Sequence, residues 1–197
     1  MQRNAEWVRR EYDLGKWSRT REELQRLLAR DPRPEFSEVV HELSQDELGG
    51  AEAMVREADA VIDGRRARLP YGTTYGAAMA LVADHVGHAV TPSTDAVVEL
   101  GAGWARHLLR VRAETARRDV RYVAAEFTES GRAAARSIGA LDPSLALEVV
   151  PFDYHHPRLA LGPLGEAVVF TVHSIEQIPV VPRELVQAIA GLADRVT

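Results

Sequence analysis

The chain contains no cysteine among its 197 residues, which excludes disulfides, thiolate metal sites and cysteine nucleophiles. Lysine is nearly absent too: Lys16 is the only one, and the remaining basic residues are arginines. With so much alanine, that bias points to a GC-rich, bacterial genome rather than to a binding surface. No apolar run approaches the roughly 20 residues that span a membrane. The first ten residues hold three arginines and Glu6 with no apolar stretch behind them, unlike a secretory signal. A cytoplasmic protein with no membrane partner is therefore expected. An excess of positive charge is also missing: the formal net charge is −5, which disfavours a nucleic-acid binder. The content of 46% hydrophobic and 27% charged residues is that of a soluble protein with one sizeable core, or a small domain with a cap.

Two halves differ in period. Up to about Ala89 the pattern is helical. Thr20 and Glu23 have capping-box spacing ahead of Leu24, Leu27 and Leu28, and Asp31-Pro32-Arg33-Pro34 ends that helix. Ala51, Met54, Val55, Ala58, Val61 and Ile62 share one helical face, with Gly64 as the C-cap. Tyr75 through Val86 is apolar nearly all round, which predicts a helix buried between two layers. From Thr94 the period shortens. Ala96–Leu100, Val120–Ala125, Leu145–Phe152 and Ala167–Val172 read as buried strands, with helices over Trp104–Ala116 and Thr128–Ile138. A last helix opens at Pro182 and buries Leu185, Val186, Ile189 and Ala193. Strand–helix alternation with wholly apolar strands predicts an α/β fold with a parallel sheet covered on both faces.

The strongest motif is Val97-Val98-Glu99-Leu100-Gly101-Ala102-Gly103-Trp104-Ala105, a strand running through a glycine turn into a helix. Glycine lets a backbone approach a ligand closely, and the N–H groups opening a helix are free to bond it. The dinucleotide fingerprint needs a third glycine where Arg106 stands, and Glu99 just before the turn would repel a pyrophosphate but attract a cationic amino acid. A nicotinamide-dependent oxidoreductase is disfavoured on both counts. Two further strands end in acids, at Glu126 and Asp153. A carboxylate at Glu126, 23 residues beyond Gly103, suits ribose hydroxyls.

The acid followed by Gly-x-Gly, with Ala105 in place of a third glycine, resembles motif I of the class I, Rossmann-like S-adenosylmethionine-dependent methyltransferases. The resemblance covers roughly residues 94–197, about half the chain. It implies an S-adenosylmethionine site, with S-adenosylhomocysteine as product, formed by Glu99, Gly101, Ala102, Gly103, Glu126, Phe127, Phe152, Asp153, Tyr154 and Thr171. It implies that Asp153 and its neighbours meet the adenine edge. It also implies that the loop after strand four, His173-Ser174-Ile175-Glu176, faces the methyl group. His173 and Glu176 are the candidates to orient a nucleophile or take its proton; otherwise His173 bonds within the sheet edge and Glu176 faces solvent. Tyr71-Gly72-Thr73-Thr74-Tyr75-Gly76 admits two readings. Tyr71 closes over the ligand with its ring on the sulfonium, or it packs on the sheet while Thr74 caps a helix. His85 and His88, and His155 and His156, lack the companions of a metal site.

The expected organisation is an N-terminal helical cap and substrate region at residues 1–90, followed by an S-adenosylmethionine-binding domain at residues 91–197. The expected activity is methyl transfer to an oxygen or nitrogen nucleophile of a small molecule or peptide; the alternative is a non-catalytic module that keeps the cofactor fold. The family's sheet has seven strands in the order 3-2-1-4-5-7-6, and only four are legible. Strand four is thus expected at an exposed edge, completed either by a C-terminal segment missing from a truncated chain or by a second copy in a homodimer.

Overall fold

Wholly apolar strands pack side chains on both faces, and the sheet does so in strict alternation. The computed structural model describes residues 5–32, 34–162 and 164–197, so the first four residues of the basic N-terminal stretch, and Arg33 in the proline-rich break, lie outside the described residues. Five strands form one parallel sheet: β3 (Thr94–Leu100), β4 (Arg121–Glu126), β5 (Leu147–Pro151), β6 (Leu164–Phe170) and β7 (Ala193–Val196), in the order β5-β4-β3-β6-β7. On one face Val97, Tyr122, Ala124 and Val168 share a core with helices α5 (Tyr71–Ala89), α6 (Arg106–Thr115) and α7 (Glu129–Gly139), with β6 lying against α5. On the other, Ala96, Val98, Leu100, Val123 and Ala125 meet Leu185 of α8 (Arg183–Ala190). Relabelled from the first sheet strand, the order is 3-2-1-4-5, the Rossmann-like order of methyltransferase sheets. The α/β fold expected from the strand–helix alternation is present.

The chain end departs from expectation. Residues 193–196 form a fifth strand that pairs with β6, Leu164 opposite Ala193 and Ala167 opposite Val196. Strand four is therefore an interior strand. Ala193 begins β7 instead of ending the last helix, and Val186 on that helix is 61% exposed. Helix α8 is short enough for the chain to return and pair, and Gly191 follows its last turn.

The N-terminal half is not all helical. An N-terminal helix runs from α1 (Ala5–Val8) through wide π-type turns at Arg9–Lys16 into α2 (Trp17–Arg30). Thr20 is therefore mid-helix, donating its hydroxyl to the Lys16 carbonyl at 3.3 Å instead of capping. Helices α3 (Phe36–Glu47) and α4 (Gly50–Val55) follow. The helix expected to continue through Ile62 stops at Val55. Residues Glu57–Ile62 (β1) instead pair antiparallel with Arg65–Pro70 (β2) across Asp63 and Gly64, whose φ values are 49° and 76°. Asp-Gly in a two-residue turn with both φ positive is a hairpin signal, and it outweighed the helical spacing. Helix α5 (Tyr71–Ala89) is covered on one side only: Ala83 and Val86 are buried, whereas Leu81 is 61% exposed. Leu24, Leu27, Val39 and Leu43 join Ala134, Ala135 and Ile138 of α7 in one core, so the N-terminal helices share their packing with the sheet.

Candidate functional site

Strand β3 leaves the sheet at its carboxyl end, where the chain's path turns from β4 and β5 on one side to β6 and β7 on the other. Such switch points open a crevice, and here it is a cavity of about 510 Å³. The glycine turn forms its floor. Gly101 and Gly103 have φ of 73° and 56°, and Ala105, fully buried, takes 71°. A side chain at Gly101 would collide with the Ser174 hydroxyl, and one at Gly103 would stand 2.6 Å from the Trp17 ring. The indole of the N-terminal helix thus lies directly on the turn.

The residues expected to hold a ligand separate into two groups. Gly101, Ala102, Gly103, Glu126, Phe127, Asp153, Tyr154, Tyr71 and His173 line the cavity. Glu99, Phe152, Thr171 and Glu176 do not. Glu99 points to the helix face of the sheet, where it is fully buried. One oxygen accepts the His107 Nδ1–H at 2.8 Å and the other the Leu108 amide at 3.0 Å. It fixes the start of α6 and meets the cavity only through His107. Phe152 is core, its ring edge-on to Tyr154 at 4.8 Å.

Glu126 is at the cavity wall but already engaged. One oxygen accepts the Gly103 amide at 2.8 Å; the other accepts the amide and hydroxyl of Thr128 at 2.8 and 2.6 Å. Burial pushes its carboxyl above the ordinary value, partly offset by these hydrogen bonds. A carboxylate offers about four acceptor positions, so one remains for a ligand hydroxyl. Asp153 accepts the His155 amide at 2.8 Å. Thr128, in turn, caps α7 by accepting the Gly131 amide.

Tyr154, Thr171 and Ser174 form a hydroxyl cluster. Their oxygens lie 2.6–2.8 Å apart, and both Tyr154 and Ser174 reach the Leu100 carbonyl, at 2.8 and 3.0 Å. Burial raises the Tyr154 phenol to about 12. The cluster ties the loops after β5 and β6 to the end of β3. His173 sits beside it in the left-handed region, φ 53°, and its Nδ1 lies 3.8 Å from Glu176 Oε1, both side chains being more than half exposed.

The opposite wall comes from the N-terminal half together with the start of α6, through residues that, Tyr71 aside, the sequence did not single out for a site. Glu47, 3% exposed, is reached by Lys16 Nζ at 2.7 Å, Arg106 Nη1 at 2.8 Å and the Trp104 indole N–H at 2.9 Å. Burial pushes its carboxyl up, but Arg106 and Lys16 together outweigh that and hold it below the ordinary value. Arg106 also lies over the Tyr75 ring at 5.0 Å, and Tyr71 and Tyr75 are 5.9 Å apart. Thr74 donates to the Tyr71 carbonyl at 2.8 Å and so does not act as an N-cap. The N-terminal helix is pinned at Asp13, which accepts the Ser130 amide at 2.8 Å, and at Tyr12, whose oxygen accepts from Gln177 at 3.0 Å. No sequence spacing announces contacts between residues so far apart; the one local signal was the lone lysine. Among the described residues no helix is long and apolar enough to cross a membrane, and no cluster of three metal-ligating side chains occurs.

No family model and no curated protein matches the chain. Among solved structures it is similar to a protein described as a putative protein-L-isoaspartate O-methyltransferase from Plasmodium falciparum in complex with S-adenosyl-L-homocysteine. That match has 13% identity over 86% of this chain and 79% of that one, with a TM-score of 0.43. It is also similar to the CcbJ methyltransferase from Streptomyces caelestis, with 18% identity over 45% and 34% of the two chains and a TM-score of 0.35. The plantazolicin methyltransferase BpumL in complex with SAH matches at 8% identity over 60% and 43%, with a TM-score of 0.42. The matched part spans about a third to two fifths of the latter two proteins.

Proposed function

We propose that the chain binds S-adenosylmethionine in the 510 Å³ cavity and promotes methyl transfer to an oxygen or nitrogen nucleophile of a small molecule or peptide. The observation that carries this reading is one convergence. The Gly101–Gly103 turn, Glu126 and Asp153 stand at the carboxyl ends of three adjacent parallel strands and line one cavity. When bound, S-adenosylmethionine supplies a methyl carbon activated by its sulfonium, the C–S electron pair passing to sulfur as the new bond forms. The free acceptor position on Glu126 receives a ribose hydroxyl, and Phe127 and Asp153 border the base. The pinned loops after β5 and β6 hold the acceptor in line with the methyl group, which is the main catalytic contribution such a site makes. His173, at the cavity rim with the Glu176 carboxylate 3.8 Å away, takes the proton that the nucleophile releases.

Calorimetry with S-adenosylhomocysteine and with NAD tests the donor. Binding of the first and silence with the second is expected. Tight NAD binding with no response to S-adenosylhomocysteine would overturn the reading, and Gly103→Val, which drives a side chain into Trp17 and the cradle, should abolish the signal.

A further inference from the structure

The cavity is electrically two-ended. At the strand ends its charged groups are the acids Glu126 and Asp153. On the wall built by the N-terminal half and α6, Lys16 and Arg106 share the single carboxylate of Glu47. Arg56 lines the same cavity and has no ion-pair partner among the described residues. That wall therefore holds three cations against one carboxylate. Three buried polar atoms beside it, the Tyr75 hydroxyl and Arg106 Nε and Nη1, also lack a well-aligned hydrogen bond among the described residues, Nη1 being close to Glu47 as an ion pair only. Buried donors are seldom left unpaired, and uncompensated positive charge in a cleft concentrates anions. The rings of Tyr71 and Tyr75 flank it with flat apolar surface.

We infer that this wall is the acceptor subsite, and that it selects acceptors carrying an oxyanion, a carboxylate or a phosphate, on an apolar or aromatic body. The inference rests on the donor reading, which fills the acidic end with the sulfonium and ribose and leaves the cationic end for the second substrate. Arg56 supplies the free charge that the anion meets, the Tyr75 hydroxyl donates to it, and the tyrosine rings hold the body so that the nucleophile faces the methyl group.

The test uses the full chain in a calorimeter, first with S-adenosylhomocysteine and then with benzoate, phenyl phosphate and the neutral benzamide. At least one anion should bind the S-adenosylhomocysteine-loaded protein at least roughly tenfold more tightly than benzamide, and more weakly as salt is raised. Arg56→Gln, on an exposed side chain, should weaken that anion by about tenfold to a hundredfold, the loss of a charge-assisted bond, and leave S-adenosylhomocysteine unchanged. Which anion binds better identifies the oxyanion. Equal binding of benzamide, or no binding of either anion, overturns the inference. So does an Arg56→Gln variant that loses S-adenosylhomocysteine but keeps 5′-methylthioadenosine, because the cations would then hold the donor's own carboxylate. Should S-adenosylhomocysteine itself fail to bind, the donor reading falls, and the anion titrations on the unloaded protein still decide this one.

Discussion

The two walls of the cavity each bury one glutamate, and they neutralise it by different means. Glu47, in the N-terminal half, is surrounded by charge: Lys16 and Arg106 reach its two oxygens, and the Trp104 indole adds a hydrogen bond. Glu126, in the sheet half, has only dipoles as hydrogen-bond partners of its carboxyl, two amides and a hydroxyl delivered by its own loop and the glycine turn, with the Arg132 guanidinium a weaker influence from outside that set. The outcome differs in sign. Ion pairing holds the Glu47 carboxyl below the ordinary value against the pull of burial, whereas burial wins at Glu126 and the hydrogen bonds only moderate it. Charge partners had to come from distant segments, Lys16 and Arg106 lying on opposite sides of Glu47 in the chain. Two of the three dipole partners came almost free of chain entropy, because Thr128 is two residues from Glu126, and the third, the Gly103 amide, is brought by the neighbouring strand. One wall is therefore a tertiary construction, and the other is local.

The largest effect should come from breaking the tertiary one. Glu47→Gln leaves two cations facing each other with their counter-charge removed, Arg106 being only 14% exposed. Removing one partner of a buried ion pair costs about 3–5 kcal/mol. Urea unfolding should show that loss as a lower midpoint in a single transition, because the N-terminal helices and α7 share one core. A separate early transition for the N-terminal half would mean that the two walls belong to independent units.

Glu126→Gln should do less to stability and more to ligand binding. An amide has one oxygen, so its NH2 group must face either the Gly103 N–H or the two Thr128 donors, leaving a donor unpaired. The cost is about 1–3 kcal/mol of stability. S-adenosylhomocysteine affinity should fall by roughly tenfold to a hundredfold. An unchanged dissociation constant would show that another group receives the ribose.

The contrast between local and tertiary construction also decides what was legible in the sequence. The sheet half was legible because its signals are short-range: wholly apolar strands, a glycine turn, and acids at strand ends. The parallel sheet followed from them, whereas the strand order came only from the family resemblance. The last strand was missed because Ala193–Val196 has only four residues, two of them charged, and a preceding helix of just eight residues hid the return. In the N-terminal half, Ala58, Val61 and Ile62 fit a helical face as well as a strand, and the Asp63-Gly64 turn was the deciding residue pair. Glu99 and Phe152 lie off the cavity lining for a different reason. A strand's pleat decides whether a side chain faces the cavity or a helix, and Glu99 falls in register with Val97, on the helix face. Glu47, Trp17 and Arg106 carry no local motif at all.

A smaller effect sharpens the comparison within the tertiary wall. Lys16→Gln removes the other cation on Glu47, but this lysine is 37% exposed, so water screens the pair. The expected loss is about 0–1 kcal/mol. Arg106→Gln, by contrast, should approach the Glu47→Gln value, because Arg106 is the more buried partner and also covers Tyr75. Equal losses from the two cation variants, read from urea midpoints, would mean that burial does not rank them.

The subtlest consequence is a difference of slopes with pH. The folded Glu47 carboxyl lies below the ordinary glutamate value of 4.5, so its ion pairs stabilise the fold above that value and are lost as pH falls through the lowered one. The folded Glu126 carboxyl lies above 4.5, so its contribution is full below the ordinary value and is lost as pH rises through the raised one. Removing each carboxyl removes its own titration. The penalty of Glu47→Gln should therefore shrink toward acid, while that of Glu126→Gln should shrink toward neutrality. Urea midpoints of both variants and the parent chain, taken between about pH 3 and pH 7, give the two penalties as curves of opposite slope. Parallel curves would contradict the division between a carboxylate held by charges and one held by dipoles. A flat curve for Glu126→Gln alone would mean that its hydrogen bonds cancel its burial, leaving that carboxyl at the ordinary value, and would leave the Glu47 half of the contrast intact.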